Sequence, residues 1–477
     1  MDGRLTLGAL ALAFVAWLTI LLFAWPTYEG MNHATGNVAA LADAVLHGEA
    51  PGASKSDVFL STPDFPPVPL LVATLKDTGM SWRAALRWID FLSMLALLAA
   101  VALAGQAMGG GGVTMTVSLA VLLVSFPFVR ASLAGRTDPL AAALSLGALA
   151  VWSRDPRRSG WFAPVLAAAA WLVKATAVTV PLAVLLASFG PGARRGAGPF
   201  AARYFAAVAL GVLLTIPWHG PRWYGDVLST LAFAPPNTSA FLRGPFELLR
   251  YVGSFAELAV LAGLAIVYLT GEWSRGRPVR PYAVAALVLA MFAMSNRGSD
   301  HNQLVELTAL AAVAAGLWAE HATRREAMLG LALVLIVVAG AVWRETQQVA
   351  RSSHDPDARR DQVVAAVRAE GGPVLTEDPL VSLAAGRRAE ISDGSTLRSR
   401  YRRGDPRARA IRDRVASARY GLVVLNENLA GQRNSWYRDF QLGDEIATAL
   451  AEHYVEAGRA DGLWLYRPVH PEPRPEH

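Results

Sequence analysis

The chain has 477 residues, of which 53% are hydrophobic and only 17% charged, below the roughly 25% charged share of soluble globular proteins. It contains no cysteine, which excludes disulfides, thiolate metal sites and cysteine nucleophiles. The formal net charge of +6 comes from arginines crowded into short connections and the last quarter of the chain, with only Lys55, Lys76 and Lys174 as lysines. That distribution fits membrane orientation better than a nucleic-acid partner, and no nucleic acid is expected.

Taken in order, the apolar runs predict a polytopic α-helical membrane protein of about eleven transmembrane helices. They fall at roughly 5–25, 84–106, 113–129, 137–152, 161–175, 176–190, 203–218, 252–270, 282–295, 303–319 and 327–343 on hydropathy alone. The first run follows Met1-Asp-Gly-Arg4 and has no small-x-small cleavage pattern after it, so it reads as a retained helix. With the N-terminus cytoplasmic, the inner loops carry Arg154, Arg157, Arg158, Arg194, Arg195, Arg203, Arg275, Arg277, Arg280, Arg324 and Arg325. Eleven arginines on one side obey the positive-inside rule. An odd number of spans then makes the C-terminal domain extracytoplasmic, in a multi-pass protein of the cytoplasmic (inner) membrane.

Two outer loops are long. The first, 26–83, contains Asn37 to Leu46, with the spacing of a short amphipathic helix on the membrane surface, and a second apolar piece from Val68 to Leu75. The other, 219–250, mixes Trp223, Tyr224, Phe233, Phe241 and Phe246 with prolines and glycines, as an interfacial belt does. Residues 1–345 therefore form the transmembrane module. From 346 to 470 the chain turns polar, with short strands at Val374–Thr376, Leu422–Leu425 and Leu463–Tyr466 and helices at 360–369 and 406–418. A small soluble α/β domain is expected there, with a disordered tail at 471–477.

Ionisable residues at membrane depth are costly and mark functional pathways. Glu29 follows the first helix, Arg136 and Asp138 open the fourth, Lys174 closes the fifth, and Asp300, His301, Asn302 and Glu306 open the tenth. In the predicted orientation all lie at the outer face, where a convergent polar cluster is expected. Bland readings stand beside this one. Asp138 before Pro139 and the Ser299-Asp300-His-Asn302 run serve equally as helix caps, and Arg136 and Lys174 as snorkelling cations. Glu306, one turn inside an apolar helix, needs a partner, for which Arg297 and Lys174 are candidates. Glu377 and Asp378 follow a strand, and capping of the helix that Pro379 begins is preferred over a role at the site. His33 and His301 lack the spacing of a metal motif, so no metal ligand set is assigned and a divalent metal is not favoured.

Tyr28-Glu29-Gly30, the proline-rich Pro63-Asp64-Phe-Pro66-Pro67-Val-Pro69, Arg136-Thr-Asp138-Pro, Leu172-Val-Lys174-Ala-Thr, Gly298-Ser-Asp300-His-Asn302-Gln-Leu-Val-Glu306 and Val374-Leu-Thr-Glu377-Asp378-Pro occur in an order and approximate spacing that resembles polytopic glycosyltransferases of the GT-C fold, in the bacterial family-39-like branch. The likeness runs through Leu425, with Thr27 and Gln303 standing where the branch more often has an aromatic or acid and a tyrosine. The resemblance implies a membrane glycosyltransferase that takes a sugar from a polyprenyl-phosphate carrier at the outer face and passes it to a glycan, lipid or protein acceptor. It assigns Glu29 as general base. Arg136, Asp138, Lys174, Asp300, Asn302 and Glu306 would bind the donor phosphate or sugar, with Asp64, Glu377 and Asp378 at the acceptor or as a lid. No cofactor is implied with certainty.

The chemistry of these residue types is compatible with that assignment. A glutamate is ionised at neutral pH and competent to take a hydroxyl proton, and cations stabilise a departing phosphate where water is scarce. With no second acid placed as a nucleophile, the expected outcome is inversion at the anomeric carbon. Two rivals remain at this point: a transporter of a polar or lipid-linked solute, and a degenerate, non-catalytic membrane scaffold. No repeated halves favour the transporter.

Overall fold

The computed structural model describes residues 33–49, 59, 65–132, 136–154, 160–189, 194–232, 238–274, 277–295, 304–323, 360–430 and 435–469, with scattered positions before residue 19 and between 325 and 347. The chain is mostly helical and divides into two compact units. One comprises Met1–Pro26, Trp88–Leu214 and Pro236–Arg351; the other comprises Thr27–Arg87, Thr215–Pro235 and Ser352–His477.

In chain order the helices begin with α1 (His33–Leu46), α2 (Pro67–Asp77), α3 (Trp82–Ala107), α4 (Gly112–Val124), α5 (Phe126–Ala131), α6 (Asp138–Arg154) and α7 (Phe162–Val173). They continue with α8 (Thr179–Ser188), α9 (Arg194–His219), α10 (Arg222–Ala232), α11 (Thr238–Ser254), α12 (Ala256–Thr270), α13 (Val279–Met294) and α14 (Val305–His321). The tail adds α15 (Asp361–Ala369), α16 (Pro379–Ala384), α17 (Gly394–Arg402), α18 (Pro406–Ala416) and α19 (Asp444–His453). Its strands are β1 (Val374–Thr376), β2 (Leu422–Leu425), β3 (Tyr454–Ala460) and β4 (Leu463–Pro468).

Among the described residues two helices are long and apolar enough to cross a membrane, α3 and the Ala197–Trp218 stretch of α9. A third is added if α11 and α12, bent by 113° at Phe255, count as one broken span. Other predicted runs are present as shorter pieces because the backbone breaks inside or between them. Ser125 is extended ahead of Phe126-Pro127 and separates α4 from α5, since Pro127 has no N–H to bond the Leu123 carbonyl and its ring crowds that turn, which favours a new helix start over continuation. Lys174 is likewise extended and separates α7 from α8.

The core of the first unit is α14, whose alanines and glycine are buried almost all round. Small residues let backbones approach closely, and Gly316 shows the limit: a Cβ there would sit 2.4 Å from the Thr114 carbonyl oxygen of α4. At the other end of this contact, Glu320 accepts from the backbone N–H groups of Gly111 and Thr114, each at 3.1 Å. A carboxylate at the start of α4 satisfies orphan donors and complements the helix dipole. By contrast α9 leaves Phe205, Leu210, Leu213 and Leu214 exposed, as a lipid-facing helix would.

The second unit is built on a four-stranded sheet of order β1-β2-β4-β3. β1 runs parallel to β2, pairing Val374 with Leu422, while β2–β4 and β3–β4 are antiparallel. The β3–β4 turn uses Asp461 and Gly462, both at positive φ, the backbone that a tight two-residue hairpin demands. Alternation along the strands sends Val374, Leu422, Val424 and Leu463 to one face, against α15 and α16. Leu375, Val423, Leu425 and Tyr466 go to the other, where Leu397, Ile411, Val415, Ile446 and Leu450 close the core.

Segments from both long loops belong to this same unit. Phe59 is fully buried in the tail's core and bridges to Ile391. Helix α1 was expected to lie on a membrane surface with one face open, but its residues 35–44 are all buried. Its alanines and Gly36 are too small to hold neighbours away on any side. Ala40 and Ala44 pack on Ala389, and a Cβ at Gly36 would stand 2.6 Å from Pro379 Cδ and 2.7 Å from Asp378 Oδ1. Arg388 closes the contact with two hydrogen bonds to Glu49, 2.8 and 2.6 Å long. Gly36→Ala is therefore expected to destabilise the unit by about 1–3 kcal/mol through overpacking. Hydrogen exchange over 33–49 and 378–384 measures it; unchanged protection at both segments would contradict the contact.

Candidate functional site

Several buried charges of the first unit sit where short helices begin or end. Asp138 is the first residue of α6, placed by Thr137 and Pro139, and it is 7% exposed. Lys174 reaches it from the break between α7 and α8, and the two form a salt bridge. That break matters for the geometry, because an extended residue at the end of α7 turns its side chain out of the helical ladder. Arg136, two residues before Asp138, is half-buried.

Glu306 enters the same neighbourhood from the first turn of α14. Its carboxylate accepts from the Tyr282 hydroxyl of α13, and Thr179 at the start of α8 and Ser145 on α6 face it. Ser145 is 1% exposed. Lys174 lies near enough to act electrostatically on Glu306 as well as on Asp138. One ammonium thus serves two carboxylates held by helices α6 and α14, with three hydroxyl groups around them. Groups of this kind persist at membrane depth only where they satisfy one another or line a polar cavity.

A second polar contact in this unit lies at the α11–α12 bend. Phe255, the residue at the break, stacks on Phe126 with ring centroids 4.0 Å apart. The Arg344 guanidinium lies 5.0 Å from the Phe255 ring centroid and 5.2 Å from that of Phe126, and it pairs with Glu257 at 2.7 Å. Arg130 is 5.3 Å from the Phe126 centroid. Two interrupted helices therefore meet through an aromatic pair covered by arginine, a cation–π arrangement.

Of the residues singled out in the sequence, Asp138, Lys174 and Glu306 are thus brought together. Glu29, Asp64, Asp300 and Asn302, with Arg297 and His301, lie outside the described residues, as does the side chain of His33. Glu377 and Asp378 belong to the tail unit and are engaged there. Asp378 caps α16 by accepting from the Leu380 N–H at 2.9 Å and pairs with Arg360. Glu377 accepts from the Asn426 N–H at 2.8 Å and from the Tyr437 hydroxyl at 2.7 Å. Burial, together with the Glu377 charge, pushes the Tyr437 phenol far above its ordinary range, which keeps it a neutral donor. Among the described residues no group of three or more His, Asp or Glu is placed to hold a metal ion.

Sequence reasoning missed Tyr282, Ser145 and Thr179, since a tyrosine or hydroxyl in an apolar helix reads as ordinary core. Glu257 was missed as well, although it is an acid inside an apolar run; its partner Arg344 lies 87 residues away.

No protein-family model matches this sequence, and no curated protein matches it either. Solved structures do match the fold. ArnT from Cupriavidus metallidurans, in a crystal structure bound to undecaprenyl phosphate, superposes with a TM-score of 0.61 at 12% identity, covering 98% of each chain. The oligosaccharyltransferase of Archaeoglobus fulgidus, in a crystal structure complexed with zinc and sulfate, gives a TM-score of 0.58 at 13% identity, covering 94% of this chain and 71% of that one. The same archaeal enzyme, AglB, with an inhibitory peptide and a dolichol-phosphate gives 0.59 at 12% identity, covering 97% and 74%. The chain has the GT-C fold of these membrane proteins.

Proposed function

We propose that this chain is a GT-C glycosyltransferase of the cytoplasmic membrane, transferring a sugar from a polyprenyl-phosphate carrier to an acceptor hydroxyl at the outer face. The observation that carries the reading is the meeting of Asp138, Lys174 and Glu306 in a water-poor part of a fold shared with proteins solved with undecaprenyl phosphate and dolichol-phosphate. Lys174, with Arg136, would hold the carrier phosphate and offset the negative charge that grows on it as the glycosidic bond breaks. Asp138 would orient the Lys174 ammonium, and Tyr282 and Glu306 would border the sugar. Asp300 and Asn302, shortly before Glu306 in the chain, are assigned to the same donor site.

Glu29 is proposed as the general base. It takes the acceptor's hydroxyl proton while the acceptor oxygen bonds to the anomeric carbon from the face opposite the phosphate. The bond from that carbon to the phosphate oxygen breaks with its electron pair, the carrier leaves as polyprenyl phosphate, and the anomeric configuration inverts. The outer placement is supported by the second unit, which joins the tail to segments of both long loops, with Phe59 of the first loop in the tail's core. Segments of one unit would share one side of the membrane, which agrees with the odd number of spans expected from the sequence.

The test is incubation of the purified protein with a panel of polyprenyl-phosphate sugars, reading release of free polyprenyl phosphate. Release from at least one donor, with product of inverted configuration, is the expected result. Failure with every donor, together with flux of a labelled solute into proteoliposomes, would replace this reading with transport.

A further inference from the structure

The helix pair α17–α18 and its connecting turn carry an unusual charge. Between Gly394 and Ala416 eight arginines stand against two aspartates, so 23 residues hold as much net positive charge as the whole chain. Several of these arginines are committed. Arg400 and Arg407 both reach Asp226, at 2.7 and 3.2 Å, Arg407 also pairs with Asp405 at 2.8 Å, and Arg414 pairs with Glu390 at 2.9 Å. Burial alone would raise Asp405, but the Arg407 guanidinium more than offsets this and holds its carboxyl below the ordinary range.

The turn between the helices is different. Arg402, Arg403 and Arg409 are exposed. Arg409 folds back over the turn, its Nη2 lying 2.9 Å from where a Cβ on Gly404 would be. Among the described residues no carboxylate pairs with Arg402 or Arg409. Partial desolvation of its guanidinium, and after it the like charge of Arg400, hold Arg403 below the usual arginine range.

Position supplies the occupant. Arg400 donates to the Asp226 carbonyl and the Ser229 hydroxyl, each at 2.7 Å, and Arg403 to the Ser229 carbonyl at 3.3 Å. Asp226 and Ser229 lie on α10, an 11-residue helix that begins three residues after α9 ends. Since α9 contains one of the two stretches long and apolar enough to cross a membrane, the basic turn is fastened to a membrane-proximal helix.

We propose that the Arg402–Arg403–Arg409 turn docks the tail on anionic phospholipid headgroups. Arginine suits this ligand, because its planar fork pairs with phosphate oxygens two at a time. The surface is independent of the transferase reading, and its test measures no transfer.

The full-length protein would be reconstituted in nanodiscs of phosphatidylcholine alone or with phosphatidylglycerol, and hydrogen exchange followed across 394–416. Exchange is expected to be about ten-fold slower in the anionic discs at low salt, a gain that shrinks as salt screens the headgroups. In the Arg402→Gln/Arg409→Gln variant that gain is expected to disappear, while exchange over the distant 361–369 segment stays as in the unmodified protein. Equal exchange in the two discs would overturn the proposal. So would protection that appears only on adding soluble polyphosphate, which would assign the turn to a soluble polyanion instead.

Discussion

Lys174→Met is expected to cost the membrane unit about 3–5 kcal/mol of stability, the usual penalty for stranding one member of a buried ion pair. Asp138 is 7% exposed and would keep its carboxylate beside Glu306 with the shared ammonium gone. The double variant Asp138→Asn/Lys174→Met removes both charges and is expected to recover most of that loss, because adjacent partners couple strongly. Thermal unfolding of the purified protein separates the two outcomes. Transfer assays then distinguish structure from function: a double variant that is stable yet inactive places the pair at the donor phosphate. One that is stable and fully active reduces it to packing. A single Lys174→Met variant as stable as the parent would show that the pair is not the buried unit described above.

The second large effect falls on Glu29. Glu29→Gln keeps the shape of the side chain but removes its ability to take a proton, and general-base catalysis contributes roughly 10²–10⁴-fold. Transfer is expected to fall by that factor while binding of the lipid-linked donor persists. Initial rates and donor affinity, measured on the same preparation, check this. Turnover equal to the parent's would remove Glu29 from the mechanism. The residue stands four positions before His33, so an extended linker lets it lie at most about 14 Å from the start of α1. Because α1 is fixed by Gly36, Ala40 and Arg388, the reach of the proposed base is bounded by the tail's core.

Hydropathy and arginine placement made the helical class and the order of the apolar segments readable, because both signals are local. Short strands such as Leu422–Leu425 were readable too, as apolar runs between polar stretches. β3 was not. Its Tyr-Val-Glu-Ala-Gly-Arg-Ala is mostly exposed, and its register shifts between Glu456 and Gly458, so no alternation marks it. The interruption at Ser125 escaped a hydropathy window, which averages over about 19 residues and cannot see one extended residue, whereas the break at Lys174 falls beside the boundary read between 161–175 and 176–190. At the site, Asp138, Lys174 and Glu306 announced themselves as charges in apolar surroundings. Tyr282 did not, because its role comes from a contact between α13 and α14 that no local pattern encodes.

The marriage of the first long loop to the tail has a consequence for biosynthesis. Glu49 meets Arg388 across 339 positions of chain, and at about 5–20 residues per second the ribosome needs on the order of half a minute to supply the second partner. Through that interval α1 can pack on α2, which follows it within about twenty residues, but its partners in the tail are missing. The contact between loop and tail must then form late, after the final apolar segment has been made. Chains cut short before residue 360 would leave the α1 face that meets Pro379 and Ala389 uncovered, however well their membrane helices had inserted.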